Sequence, residues 1–215
     1  MSISFLNLTG PGDDYVQGTA TLVDPAFTIN CWLYPILVTG QIQAATLHNT
    51  TNNNRFSIGV SSTTGKAIFQ CFDTTIATAS TTTNYTANAW NMVTGVASAT
   101  NSRTVYLNSG GAGTNTTSKT LTTPTRWLLG GTYTGGAIVP TFEGYVAEFA
   151  VWSVALLTDE ITSLNRGAKA SQIRPASLKV YFPGIRNYTD MKETTTAVTT
   201  AGTNLSIVPH SRRYG

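Results

Sequence analysis

Along this chain apolar and polar residues alternate in short runs, each stopped by turn-forming residues. From Phe27 the segment FTINCWLY places Phe27, Ile29, Cys31 and Leu33 on one side, the period-two pattern of a half-buried strand, and breaks off at Pro35. Residues 55–60 and 66–72 flank a five-residue loop, 61–65, that contains Gly65, as two hairpin strands do. Residues 90–97 and 103–108 flank the polar stretch 99–102. The run Asn108-Ser109-Gly110-Gly111 then supplies residues that tolerate the positive φ of a tight turn. Trp127-Leu128-Leu129 stops at two glycines, and Leu178 to Phe182 and Leu205 to Val208 read as later strands.

Residues 142–152 form the longest strand pattern and run straight into the one short helix, near 158–166. Thr158 is placed to cap it, Asp159 and Glu160 complement the dipole of its first turn, and Gly167 suits the position just past its end. About nine residues are marginal as an isolated helix. It therefore needs to lie on a sheet, with Leu156, Leu157, Ile161 and Leu164 as anchors. Many short strands and one helix predict an all-β antiparallel sandwich.

Composition agrees. The chain is 215 residues long, 41% hydrophobic and only 11% charged, against about 25% charged in an average protein. Thr, Asn, Ser and Gly replace the charge, and β-branched Thr suits a pleated surface. The net charge of +3 is scattered apart from Arg212-Arg213, which argues against nucleic acid as a partner. No run approaches the roughly 20 apolar residues that span a bilayer, so membrane insertion is not expected. The opening MSISFLNLTGPG lacks the basic and apolar regions of a secretory signal, so synthesis in a cytoplasm is expected. Cys31 and Cys71 fall inside strands and read as buried free thiols.

Several runs occur in an order that resembles the laminin-G-like branch of the concanavalin A-like lectin/glucanase superfamily. They are Asp13-Asp14-Tyr15-Val16, FTINCWLYP from Phe27, AWNMVTGVA from Ala89, RTVYLNS from Arg103, LLGG from Leu128 and FEGYVAEFAVWSVALLTDEI from Phe142. The resemblance spans roughly residues 13–184 and implies a jelly-roll sandwich of two antiparallel sheets. It divides the chain into a sandwich over 1–184 and a polar extension over 185–215, packed on that sandwich or on a neighbouring subunit. The extension is similar to the ends of related domains in phage and bacterial proteins.

Some members of the superfamily cleave glycans with paired carboxylates on one strand. The nearest pair here, Glu143 and Glu148, is five residues apart and so falls on opposite faces of a regular strand. Glu148 is expected to be hydrogen-bonded beneath the helix and Glu143 exposed, and no enzyme activity is expected. His48, in the polar run HNTTNNN, and His210 are the two histidines, and neither accompanies a nucleophile motif. Asp13 and Asp14 are the one close acidic pair in a loop, a candidate calcium site of the kind related sandwiches carry. Trp32, Trp90 and Trp152 align with core positions of the family pattern. Trp127, Tyr133 and Tyr85 read as loop-edge aromatics able to stack on sugars, with His48 and Asn53 supplying hydrogen bonds.

Two functions compete on this reading. The first is a structural or decorating virion protein (capsid surface, tail or fibre), assembling with copies of itself or with other virion proteins such as coat protein. The alternative is a carbohydrate-binding or adhesion module that recognises cell-surface glycans through the loop aromatics.

Overall fold

The computed structural model describes residues 2–8, 14–20, 22, 26–50, 54–119, 123–183, 199–201 and 206–211. The first strands are β1 (Ser2–Leu8), β2 (Tyr15–Thr19), β3 (Phe27–Leu37), β4 (Gln41–His48), β5 (Arg55–Ser61), β6 (Lys66–Phe72), β7 (Ile76–Asn84), β8 (Asn91–Ala99) and β9 (Ser102–Leu107). They are followed by β10 (Gly110–Asn115), β11 (Arg126–Leu129), β12 (Gly131–Thr134), β13 (Ala137–Pro140) and β14 (Glu143–Trp152). Helix α1 (Thr158–Asn165), a 3-10 turn (Ala170–Gln172), β15 (Leu178–Phe182), β16 (Thr199–Ala201) and β17 (Ser206–Ser211) complete the elements of the described residues.

Two antiparallel sheets face each other. One has eight strands, in the order β10-β9-β8-β3-β14-β1-β17, with β15 also on β14; the other has seven, β16-β2-β11-β4-β5-β6-β7. Strands from the end of the chain join both: β16 pairs with β2, and β17 with β1. Between the sheets lies the main core. In it Phe27, Phe56 and Phe69 meet edge-on or stacked, and Trp127 packs against Phe149 and Phe182 at 5.5 and 5.6 Å. Cys31 and Cys71 are both free thiols buried there.

A second, smaller core covers the outer face of the eight-stranded sheet. Helix α1 lays Ile161 and Leu164 on Met92, Ala150, Trp152, Leu178 and Tyr181. The cap is built one residue earlier than expected. Leu157, not Thr158, is the N-cap, and its N–H donates to the Glu160 carboxylate at 2.7 Å. Leu157 itself is 61% exposed, so it anchors nothing. At the other end Gly167 (φ 103°) donates to the Leu164 carbonyl and Ala168 to that of Ser163, both at 3.0 Å, the paired bonds of a Schellman turn.

Two local departures matter for the faces of the sheets. Strand β3 does not stop at Pro35. Its pairing with β8 has already ended at Leu33, so the missing N–H leaves no gap, and the Pro35 carbonyl takes the Asn88 N–H at 2.9 Å. In β14, Glu148 and Phe149 together oppose Cys31, and Glu148 adopts φ 52°. This bulge shifts the alternation by one, so Val146 and Phe149 both enter the main core.

Candidate functional site

The bulge overturns the expected placement of the two glutamates. With one extra residue between them, Glu148 turns to the outer face of the eight-stranded sheet, the face on which Glu143 stands by parity with Tyr145. Glu148 accepts a hydrogen bond from the Tyr181 hydroxyl at 2.7 Å, in a cleft lined by Asn30, Trp32, Leu164, Ala168 and Ala170. Glu143 is half-buried rather than exposed.

The loop-edge aromatics are rearranged as well. Trp127 sits inside β11 and is completely buried, its ring over Gly18 between the two sheets. Alternation explains this: Trp127 pairs with Leu47 and Gly18, and Leu47 faces inward. Of the three tryptophans expected in the core, Trp152 is buried, whereas Trp32 and Trp90 are half-buried on the outer face of the eight-stranded sheet. Tyr85 lies just beyond β7, half-buried against the main core, and burial pushes its phenol pKa up. Asn53 and Asp13 lie outside the described residues. Asp14 is buried beside β2, and among the described residues no three carboxylate, imidazole or thiol groups cluster.

His48 and Tyr133, by contrast, do come together. His48 is the last residue of β4 rather than part of a solvated loop, and it is only 1% exposed. The β12–β13 hairpin folds over the outer face of β4 and stacks Tyr133 on the imidazole, centroids 4.4 Å apart and planes 14° from parallel. The hairpin is fastened by Thr46, whose hydroxyl donates to the Gly131 carbonyl at 2.7 Å and accepts from Ser57 at 2.9 Å. Thr141 adds two bonds to the Gln43 backbone. Burial lowers the His48 pKa to about 4, with the neighbouring Arg126 charge adding to the effect. The neutral ring lies 3.2 Å from the Asn49 carbonyl through Nδ1, and its Nε2 is buried without a hydrogen-bond partner.

Sequence reasoning missed what lies beside this hairpin. Across β4, β6 and β7 the amide of Gln43 donates to Gln70 at 2.8 Å, and Gln70 donates to Gln41 at 2.7 Å and to Thr78 at 3.3 Å. The relay holds three side chains in fixed orientation. Among the described residues it leaves one amide oxygen, on Gln43, and one amide nitrogen, on the exposed Gln41, without a protein partner. Gln41 and Gln43 were legible only as polar positions of an unrecognised strand, QIQAATLH, and Gln70 as one polar position of the expected strand 66–72. Their convergence depends on the β4–β5 register shift at Ala44. The same face carries a cross-strand row, Phe72–Arg55–His48–Arg126, in direct register over β6, β5, β4 and β11, with the Arg55 guanidinium 4.3 Å above the Phe72 ring.

Two facing antiparallel sheets with a polar outer face define a lectin-like β-sandwich. The chain belongs to the Laminin_G_3 family of the concanavalin A-like lectin/glucanases superfamily, whose model matches residues 10–162. Among solved structures it is similar to a heptameric SAP-like pentraxin from Limulus polyphemus, with a TM-score of 0.64 and 14% identity over 93% of this chain and 94% of that one. A putative carbohydrate binding protein from Bacteroides ovatus matches at TM-score 0.62 and 14% identity, over 98% of this chain and 62% of that chain. The CBM40 of the Ruminococcus gnavus IT-sialidase, bound to alpha2,3 sialyllactose, matches at 0.53 and 15%, over 65% and 82%. No curated protein gives a significant match. The single helix among the described residues is too short to cross a membrane.

Proposed function

We propose that this chain is a non-enzymatic saccharide-binding sandwich that holds its ligand on the outer face of the seven-stranded sheet. One observation carries the reading: the Gln43–Gln70–Gln41 relay presents a pre-oriented open acceptor and open donor on a polar sheet surface beside a hairpin wall. Sugar hydroxyls, each both donor and acceptor, are the groups such a pair recognises, and pre-orientation reduces the entropy lost on binding. The Bacteroides ovatus and Ruminococcus gnavus neighbours, one a putative carbohydrate binding protein and one bound to a sialylated sugar, support the same class. The aromatics first expected to carry the contact are not needed for it.

A glycan array with the full chain, run with calcium and with a chelator, tests the proposal and the candidate Asp13–Asp14 calcium site together. Hits that weaken about tenfold or more in Gln70→Ala are expected, since that change frees both neighbouring amides. An array without hits, or full binding by the variant, overturns the reading. Hits that do not change when calcium is removed count against the calcium site.

Assembly into a virion, alone or with coat protein, stands as the second reading. It is favoured by β17, which forms an edge of the eight-stranded sheet where another copy could add a strand. Light scattering that shows a strict monomer at all concentrations, together with no retention on particles, excludes it.

A further inference from the structure

Gln41 and Gln43 stand two residues apart on β4, opposite Ser61 and Gly59 of β5 in unbroken register, so both project from the same face of the sheet about 7 Å apart. Gln70 reaches both from β6, across β5, in which Gly59 offers no side chain to obstruct the path. Gln70 is only 8% exposed, and its bonds to Gln43, Gln41 and Thr78 fix the direction of all three amides. Among the described residues the relay therefore ends in an oxygen on Gln43 and a nitrogen on Gln41. The first only accepts and the second only donates.

The complement of a fixed acceptor beside a fixed donor is another amide. The N–H and C=O of a trans amide point in opposite directions, and with a hydrogen bond at each end the group spans about 8 Å. That length is close to the separation of the two strand positions. The surroundings carry little charge that would draw a different group. The seven strands of this sheet contain no aspartate or glutamate, so an ammonium finds no carboxylate on them. Lys66, in the same row as Gln41 and Ser61, turns its own ammonium to the Thr82 carbonyl at 2.5 Å.

We infer that the ligand of this face is an N-acetylated sugar, whose acetamido N–H donates to Gln43 Oε1 and whose acetamido oxygen accepts from Gln41 Nε2; the inference rests on the saccharide-binding reading above. Of the common substituents of a sugar ring, a carboxylate only accepts and an ammonium only donates. A hydroxyl turns to either role, so it has no use for two ends of fixed and opposite kind. The acetamido group alone brings a donor and an acceptor in set directions. Both bonds form with little further loss of side-chain freedom, because the relay already holds the amides in place.

The experiment is calorimetric titration of the full chain with ligand pairs that differ only in carrying an acetamido group or a hydroxyl at C2: chitotriose against cellotriose, and N-acetyllactosamine against lactose. At least one acetamido sugar is expected to bind about tenfold or more tightly than its hydroxyl partner. Gln41→Glu keeps an oxygen for Gln70 to bond but puts an acceptor where the open donor stood, and Gln41→Met removes both. The ratio should fall towards one in each variant, once its melting transition has been checked against wild type. Equal binding within both pairs, or a preference that both variants retain, overturns the inference and leaves saccharide binding standing. Tighter binding of the glucosamine trimer than of chitotriose overturns the acetamido assignment. No binding of any saccharide overturns both this inference and the function on which it rests.

Discussion

Tyr133 and His48 lie ring on ring, 4.4 Å apart, so a surface hairpin forms the cover of a buried imidazole. Burial holds His48 at a pKa of about 4 in the fold, whereas an unfolded chain titrates near 6.5. Between those values the unfolded state binds the additional proton. Stability is therefore complete above about pH 6.5 and declines as pH falls toward 4, by at most about 3 kcal/mol. Denaturant melts at a series of pH values should show this slope, and His48→Gln should flatten it. A wild-type slope in the variant would assign the pH dependence elsewhere.

Removing the cover should release the imidazole. In Tyr133→Ala the His48 ring meets water, and its pKa is expected to rise toward the ordinary histidine range. The aromatic packing lost with the ring should lower stability by about 2–3 kcal/mol. The His48 Cε1–H chemical shift followed against pH reads the first effect. A midpoint still near 4 would show that the stack is not what shields the ring.

Much of the architecture could be read from the pattern of residues. The hairpin turn at Asn108 and Ser109 does take positive φ at both positions, 51° and 61°, and the helix ends at Gly167 as its sequence implies. What was not legible arose wherever burial and alternation parted company. Trp127 stands only three residues before two glycines, the setting of a loop edge, but it occupies an inward position in a four-residue strand too short to display a period. His48 was grouped with the asparagines that follow it, although its place is set by pairing with Arg55 and Arg126, which no local pattern records. A single bulge residue, Glu148, reversed the facing of the two glutamates, and bulges carry no reliable sequence mark for a non-glycine residue. The amide relay escaped notice because its members, Gln41, Gln43 and Gln70, lie on two strands and meet only after the sheet is formed.

Gly95, in the middle of β8, has no room for a side chain. A methyl group there would come within 2.8 Å of the Phe69 ring and 2.9 Å of Ile58. Gly95→Ala is expected to destabilise the sandwich by about 1–3 kcal/mol through overpacking. Adding Phe69→Leu should recover part of that loss. Thermal melts of the three proteins decide the matter, and a single variant as stable as wild type would refute the close fit.

Lys119 is almost fully buried and donates to Asp73 at 2.9 Å and to the Thr75 carbonyl and hydroxyl at 2.7 and 2.5 Å, tying the β6–β7 turn to the segment after β10. The lysine hydrogen bond holds the Asp73 carboxyl well below the usual carboxylate range. That contribution is present above about pH 4 and disappears as acid protonates the group. Lys119→Met should return Asp73 toward ordinary titration and cost about 1–3 kcal/mol at neutral pH. Carboxyl-detected NMR of Asp73 that shows no upward movement would rule out the lysine as the cause.

Strand β3 pairs on one side with β8 and on the other with β14, more than a hundred residues further along, while β4 to β7 form a run of adjacent hairpins. Loops that must close over such different lengths do so at different times. During synthesis the β4–β7 meander can form as soon as it emerges, but β3 must wait for β14 with one flank of its backbone uncovered. Pulse-labelled amides in β5 and β6 should thus be protected before those of β3, with simultaneous protection as the contrary result. The order in which this protein is built therefore puts the hairpins of the seven-stranded sheet first and leaves the helix-covered sheet to be completed last.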